Sequence, residues 1–328
     1  IEPFADYAFN KSHAYGYGLV AYQTAYLKAH HPVEYFAALL TSVKHTLEKA
    51  AVYIAECRAM GIKVLNPDVN RSMTDFAALY PHEVPEDVQL PLGSPGAITF
   101  GLSAVRNVGA GIVAQLLEER EANGPFTSFH DFVERVPEPV LNKRAVESLI
   151  KAGAFDSLGH TRKGLLNVFE HITDTTLTRR RERERGVMSL FGDWGDGGGD
   201  DAAPAFDERT PIPDVEFDKS DKLRYEKEML GLYVSDHPLL GLEAALRRKV
   251  EHSIAELAEL PDGAAVTVGG VITGLTRKFT KKGDQMAVFV LEDLESSIEV
   301  TLFPRTLQEH GNKLADDLVV AVRGRLDR

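Results

Sequence analysis

The stretch "ITFGLSAVRNVGAGIVAQLLEER", Ile98 to Arg120, carries the most informative local pattern in the sequence. Apolar residues repeat at helical spacing on both sides of a short polar turn. They are Leu102, Val105, Val113, Leu116 and Leu117. The turn between the two runs is Arg106 to Gly109. The pattern predicts two helices joined by a tight hairpin.

Two short helices joined in this way are typical of a helix-hairpin-helix, a motif that holds the phosphate backbone of DNA. Its hairpin normally reads glycine, hydrophobic residue, glycine, because bare N–H groups must approach a phosphate closely. We expect the first and third positions to need glycine's backbone freedom. Asn107 replaces the first glycine and is the non-glycine residue that best tolerates positive φ. The hairpin can therefore form, although the close approach is weakened at this position. An ordinary helical hairpin is the alternative interpretation.

A second unit of this kind is predicted from "LNKRAVESLIKAGAFDSLG", Leu141 to Gly159. Asn142 is a candidate N-cap, and Lys143 and Arg144 follow in the first helical turn. Cations are unfavourable there unless an anion comes near, so both are candidate phosphate contacts. Solvated surface charge is the alternative interpretation. The candidate duplex-binding residues of the pair are Arg106, Asn107, Val108, Gly109, Gly111, Lys143 and Arg144.

Upstream of these hairpins, the sequence predicts a helical region. Helices are expected over 13–30, 33–42 and 47–60, the last closed by Gly61, and "IKVLNPDVN" at 62–70 is expected to be extended. The stretch "FNKSHAYGYG", Phe9 to Gly18, stands at the first helix entrance, where N–H groups and the helix dipole favour a phosphate. A helix capped by Ser12 is the simpler alternative.

Composition limits the possible functions. The chain has 328 residues, 44% of them hydrophobic, which is enough for two or three domains. Its net charge of −12 argues against indiscriminate coating of nucleic acid, so contacts with DNA should come from local basic patches. No apolar run predicts a membrane span and no export signal is recognisable, which suggests a cytoplasmic protein. The single cysteine, Cys57, is expected to be a buried thiol.

The region after the second hairpin changes in composition. A basic run, "RRRERERG" at Arg179 to Gly186, is followed by an acidic, glycine-rich stretch that we expect to be a flexible linker. From about Asp262 the sequence alternates in short β-branched segments with a helical "RTLQEHGNKL" between them. Strands in this order predict an OB-fold. Such barrels bind single-stranded nucleic acid, although some bind sugars or proteins. The candidate single-strand contacts are Arg277, Lys278, Phe279, Lys281, Lys282 and Phe303.

Taken in order, these motifs resemble the family of bacterial replicative DNA polymerase III alpha subunits, the C-family polymerases. The matching segments include "FNKSHAYGYG", "NPDVNRS", "FGLSAVRNVG", "LIKAGAFDSLG" and "EKEMLGLYVSDHPL". The resemblance implies a multidomain, mainly α chain that ends in a small all-β OB-fold, truncated at its C-terminus. It assigns 1–92 to the fingers, 93–175 to tandem helix-hairpin-helix units, 176–218 to a clamp-binding peptide and acidic linker, 219–261 to a helical connector, and 262–328 to a partial OB-fold.

The resemblance also implies the partners and the site residues. Asn10, Lys11, Ser12 and His13 would face an incoming deoxynucleoside triphosphate. The clamp-binding peptide would be Val187, Met188, Ser189, Leu190 and Phe191, with Val187 where the family carries glutamine. Leu190 and Phe191 could instead pack on their own domain. The other expected partners are primer-template duplex, single-stranded template and further replicase subunits; no membrane partner is expected.

Catalysis in this family needs clustered aspartates that hold two Mg²⁺ ions. The sequence contains no Asp-x-Asp pair, so the resemblance places the metal-binding palm before Ile1 and implies that this fragment is inactive alone. Two alternatives stay open. One is a non-catalytic DNA-binding adaptor, and the other is an error-prone paralogue of the same polymerase family.

Overall fold

The structure is a computed structural model that describes residues 11–185 and 209–327, apart from residues 45, 87, 240, 281, 282, 294 and 295. It divides into two compact units, Ile1–Phe217 with Tyr225–Leu232, and Asp218–Arg224 with Tyr233–Arg328. Within the described residues, no helix combines the length and apolar character required to cross a membrane.

The first unit begins with three helices, α1 (Lys11–His30), α2 (Pro32–Val43) and α3 (Leu47–Ala59). Pro32 stands at the first position of α2, where a missing N–H costs nothing. Gly61 follows α3 with φ +73°, as its predicted role at the helix end requires. The three predicted helices are confirmed to within one or two residues at each end.

Cys57, in α3, is fully buried, as predicted. Burial, reinforced by the nearby charge of Glu56, raises the pKa of its thiol to about 12. The thiolate is therefore scarce at neutral pH, which makes this cysteine structural.

A small mixed sheet follows these helices in the chain and precedes the hairpins. Its strands are β1 (Lys63–Leu65), β2 (Ala77–Leu79) and β3 (Ala97–Thr99), in the order β1-β3-β2, with β1 parallel and β2 antiparallel to β3. The extended segment predicted at 62–70 contains β1. Strands β2 and β3 were not predicted.

The first helix predicted from Leu102 and Val105 is wrong in extent. Strand β3 precedes it, and only a single 3₁₀ turn, Leu102–Ala104, forms. A Cβ atom at Gly101 would lie 2.6 Å from the carbonyl carbon of Asp75, so the backbone must pass this point closely packed. Sheet pairing therefore keeps the chain extended almost up to the hairpin.

Four helices complete this part of the unit: α4 (Ala110–Asn123), α5 (Phe129–Arg135), α6 (Lys143–Ala152) and α7 (Arg162–Glu184). The 3₁₀ turns Glu138–Leu141 and Asp156–Leu158 lie in their connections. Phe126, Phe129, Phe132 and Phe155 are buried and contact one another with ring centroids 4.9–6.2 Å apart. This aromatic cluster forms the core that fixes the helices around the hairpins.

The second unit contains the predicted β structure. Helix α8 (Lys219–Leu230) precedes it, followed by α9 (Glu243–Arg247) and the 3₁₀ turn Ala255–Glu259. Strands β4 (Ala265–Phe279), β5 (Gln285–Glu292), β6 (Ser297–Leu302) and β7 (Val319–Arg325) form an antiparallel sheet in the order β6-β5-β4-β7. Helix α10 (Pro304–His310) and the 3₁₀ turn Gly311–Lys313 connect β6 to β7. A mainly helical chain that ends in an OB-type sheet is thus confirmed.

Candidate nucleic-acid interface

The predicted first hairpin runs from the 3₁₀ turn into α4. Asn107 adopts φ +66°, which confirms the prediction that asparagine takes the left-handed conformation at this position. Its side-chain Nδ2 donates a hydrogen bond to Ser148 Oγ at 2.9 Å, and Ser148 lies on α6. Ser148 Oγ in turn donates to the carbonyl of Arg144. Asn107 therefore shapes the first hairpin and also joins it to the second.

Gly109 has a different role from the one expected. Its φ of −80° and ψ of 150° are open to every residue, so the expectation of a special backbone angle at the third hairpin position is wrong. It is the residue that precedes α4, where an extended conformation is normal. A Cβ atom at Gly109 or at Gly111 would meet no heavy atom within 4 Å. No contact in the described chain therefore requires glycine at either position.

The backbone around these glycines presents hydrogen-bond donors to solvent. Among the described residues, no acceptor is found for the N–H groups of Gly109, Ala110 and Gly111, whereas Ile112 and Val113 both donate to the Gly109 carbonyl. All three residues are exposed. Unpaired N–H groups at a helix start, with no side chain in front of two of them, suit an incoming anion.

The remaining first-hairpin candidates point to different roles. Arg106 is exposed, and its backbone N–H donates a hydrogen bond to Met229 O at 2.9 Å. Val108 is only 6% exposed and its side chain belongs to the core. Val108 can thus support the hairpin, while Arg106 is available to an external group.

The second hairpin is capped as predicted. Asn142 Oδ1 accepts hydrogen bonds from the N–H groups of Arg144 and Ala145, and Gly153 ends α6 with φ +84°. Lys143 Nζ lies 2.9 Å from Asp174 and 3.3 Å from Glu170, both on α7. The hydrogen bond to Asp174, followed by that to Glu170, raises the pKa of Lys143.

The positive charge of Lys143 is therefore already balanced by two carboxylates of the same chain. Arg144 is exposed, and no ion pair joins it to any carboxylate of the described residues. Of the two basic residues in this turn, Arg144 is the one that can reach a phosphate without first breaking an internal ion pair.

A buried arginine behind the second hairpin escaped the sequence analysis. The Arg162 side chain is 3% exposed and binds Asp156 through Nε and Nη2 at 2.7–3.1 Å. Its Nη1 lies 3.8 Å from Glu226, which is fully buried and also accepts a hydrogen bond from Asn66. Burial lowers the pKa of Arg162, but the Asp156 hydrogen bonds and the nearby carboxylates outweigh it and raise the pKa overall.

The same arginine explains the glycine in the small-residue turn. A Cβ atom at Gly153 would lie 2.2 Å from Arg162 Nη2. The sequence signal that could have identified this contact is the Asp156 to Arg162 spacing just after the turn.

The OB-type sheet carries the candidate single-strand contacts at one end. Arg277 and Lys278 pair with Ala287 and Met286 across β4 and β5, and both are exposed. Phe279 and Phe303 are 73% and 67% exposed, respectively. Exposed aromatic rings beside cations suit stacking on bases, although Phe303 lies beyond β6, on the other side of β5.

Several candidate residues lie outside the description. The residues that the structure does not describe include three single candidates, the acidic stretch after Arg185 and the predicted clamp-binding peptide. The single candidates are Asn10, Lys281 and Lys282, and the peptide is Val187, Met188, Ser189, Leu190 and Phe191. Lys11, Ser12 and His13 belong to the first turn of α1, but their side chains are outside the description. Within the described part of the chain, no group of three or more His, Cys, Asp or Glu is arranged to hold a metal ion.

Comparison with known proteins finds a family model for each of two regions, the hairpins and the OB-type sheet. A family model described as a helix-hairpin-helix motif matches residues 61–165, and one described as an OB-fold nucleic acid binding domain matches residues 266–328.

Relatives cover the chain nearly end to end. DNA polymerase III subunit alpha of Saccharopolyspora erythraea is 47% identical over 99% of this chain, and that of Mycobacterium tuberculosis H37Rv is 46% identical over 99%. The Thermus aquaticus subunit is 41% identical over the whole chain. The chain spans only about 26% of the length of these relatives. The predicted resemblance is confirmed.

Proposed function

Because the chain belongs to the family of bacterial DNA polymerase III alpha subunits, we propose that it works as part of the catalytic subunit of a bacterial replicative DNA polymerase. The observation that carries this proposal is the similarity along 99% of the chain. The reaction is template-directed DNA synthesis by nucleotidyl transfer, and the compartment is the cytoplasm.

Within that enzyme, the paired hairpins hold primer-template duplex. The unpaired N–H groups of Gly109, Ala110 and Gly111 support this role, because backbone donors bind phosphate without reading sequence. Arg106 and Arg144 add exposed positive charge on the two hairpins. The linked side chains of Asn107 and Ser148 hold the hairpins in one arrangement.

The other contacts follow the family pattern. The exposed Arg277, Lys278 and Phe279 bind single-stranded template, and residues 10–13 bind the incoming deoxynucleoside triphosphate. Residues 187–191 bind the sliding clamp, and further replicase subunits complete the assembly. The family pattern implies that carboxylates in another part of the full polypeptide hold the catalytic Mg²⁺.

Gly109→Ala tests duplex binding at the hairpin. The substitution should change the free energy of unfolding by no more than about 1 kcal/mol, because φ is ordinary and the restriction that alanine places on the unfolded chain offsets its poorer fit at the N-cap. If a phosphate approaches the Gly109 backbone, the added methyl should weaken affinity for a fluorescent primer-template duplex by roughly tenfold, or about 1.4 kcal/mol.

Gly18→Ala is the matched control, since a Cβ atom at Gly18 also meets nothing within 4 Å. It should leave duplex affinity as in the wild type. Equal duplex affinity for wild type, Gly109→Ala and Gly18→Ala would remove the hairpin from the DNA interface.

A further inference from the structure

A second basic surface lies on the OB-containing unit, away from the β4–β5 hairpin. Arg247, Arg248 and Lys249 follow one another at the end of α9, and all three are exposed. The residues on either side, Leu246 and Val250, pack inward. The three cations are thus held on the surface between two apolar anchors.

Gly269 on β4 allows this docking. A Cβ atom there would lie 2.6 Å from Leu246 Cδ1 and 2.8 Å from Val250 Cγ1. Glycine leaves room for the two anchors to pack directly on the strand, which places the basic run against the sheet. Directly after it, Glu251 donates its backbone N–H to Thr267 O at 2.9 Å.

The neighbouring edge strand adds two more cations to the same face. Arg323 and Arg325 on β7 pair with Thr267 and Ala265 of β4. Val322 packs on the core and Leu326 belongs to it, so strand alternation turns Arg323 and Arg325 to the outer face. Gly269 pairs with Ala321 on that face, which places the docked run beside the two arginines.

The five cations make no ion pair with the part of the chain that the structure describes. Among the described residues, none of Arg247, Arg248, Lys249, Arg323 and Arg325 forms an ion pair. Glu251 and Asp327 flank the surface but are outnumbered. Glu256 and Asp293, which line the groove beside Arg247, accept hydrogen bonds from the backbone N–H groups of Ser253 and Ile254.

We propose that this outer surface binds the sugar-phosphate backbone of DNA, as a contact separate from the hairpin end of β4. A cluster of exposed cations makes a local positive field on a chain of net charge −12, and such a field attracts a polyanion. None of the five residues is aromatic, so the contact is electrostatic and independent of base stacking. The inference rests on the proposed function only in taking DNA as the nucleic acid.

The salt dependence of duplex binding tests the proposal. Plots of log K against log salt have a negative slope, and each lost phosphate contact makes that slope shallower by about 0.9. Between roughly 50 and 200 mM NaCl, the slope should therefore become shallower by about 2 in Arg323→Gln/Arg325→Gln and by about 3 in Arg247→Gln/Arg248→Gln/Lys249→Gln. The probe is a fluorescein-labelled 30-base-pair duplex titrated with the 328-residue chain, and urea unfolding verifies that each variant folds.

Lys49→Gln/Lys63→Gln removes two exposed cations from the other unit and should leave the slope unchanged. Wild-type slope and affinity in both surface variants would overturn the proposal. A membrane contact is the competing explanation. If the surface variants bound phosphatidylserine vesicles less well than the wild type but kept its duplex affinity, that result would overturn the proposal too. The Gly109→Ala result is independent of these outcomes, so failure of the surface and failure of the hairpin can be told apart.

Discussion

At the residue scale, the first hairpin shows what a sequence can specify locally. Asn107 was predicted to take positive φ because asparagine tolerates that conformation, and it does. The prediction for Gly109 failed because a sequence does not show why glycine stands at a position. Glycine can serve a special backbone angle, or it can keep the backbone accessible to an external group, and at Gly109 the angle is ordinary and the space is open. The Asn107 bond to Ser148 joins residues far apart in the chain, which no local pattern reveals.

Asn107 should accordingly be sensitive to alanine and tolerant of glycine. Asn107→Ala places a Cβ atom at φ +66° without a compensating side-chain bond, and should lower the free energy of unfolding by about 1–3 kcal/mol. Asn107→Gly loses only the bond to Ser148 and should cost about 1 kcal/mol or less. Urea unfolding of both variants measures the difference. Equal losses would show that backbone conformation at this position does not limit stability.

At the scale of elements, the predictions were accurate where local chemistry decides the structure. Asn142 caps α6 and Gly153 ends it, while the alternating segments after Asp262 form the strands of the OB-type sheet. Strands β2 and β3 were missed because each has only three residues and pairs with a distant segment. The Arg162 and Glu226 pair was also missed because the two residues are distant in the chain, and no local sequence pattern near either one indicates its partner.

Arg162 should matter more to stability than its surface counterpart on the same helix. Arg162→Met removes a buried guanidinium that lies 3.8 Å from the carboxylate of fully buried Glu226, and should lower the free energy of unfolding by about 3–5 kcal/mol. Arg181 also belongs to α7 and lies 2.6 Å from Glu138, but both side chains are more than half exposed. Arg181→Met should therefore cost less than about 1 kcal/mol in the same urea titration. Similar losses in the two variants would mean that the buried pair adds little.

At the scale of the whole molecule, charge is arranged unevenly on an acidic chain. Its DNA-binding candidates are exposed cations and unpaired N–H groups at separate places, namely the two hairpins, the end of β4 and the outer face of the OB-containing unit. Several weak, sequence-independent contacts suit an enzyme that must move along DNA, because each can release and rebind. If the proposed function holds, continuous synthesis then depends on a further partner that keeps the polymerase on its template.

The clamp-binding peptide is the segment through which we expect that partner to act. If Leu190 and Phe191 fill an apolar pocket on the sliding clamp, Leu190→Ala/Phe191→Ala should weaken clamp binding by about thirtyfold or more, since buried anchors of this kind cost about 2 kcal/mol or more. Val187→Gln introduces the glutamine that the resemblance leads us to expect at this position, and should tighten binding about fivefold, by about 1 kcal/mol, through one added hydrogen bond. Isothermal titration of the purified clamp into wild type and both variants measures the series. The Lys49→Gln/Lys63→Gln chain serves as a control that changes charge elsewhere and should match the wild type. Equal affinity for wild type and the two peptide variants would assign the clamp contact to another part of the polypeptide.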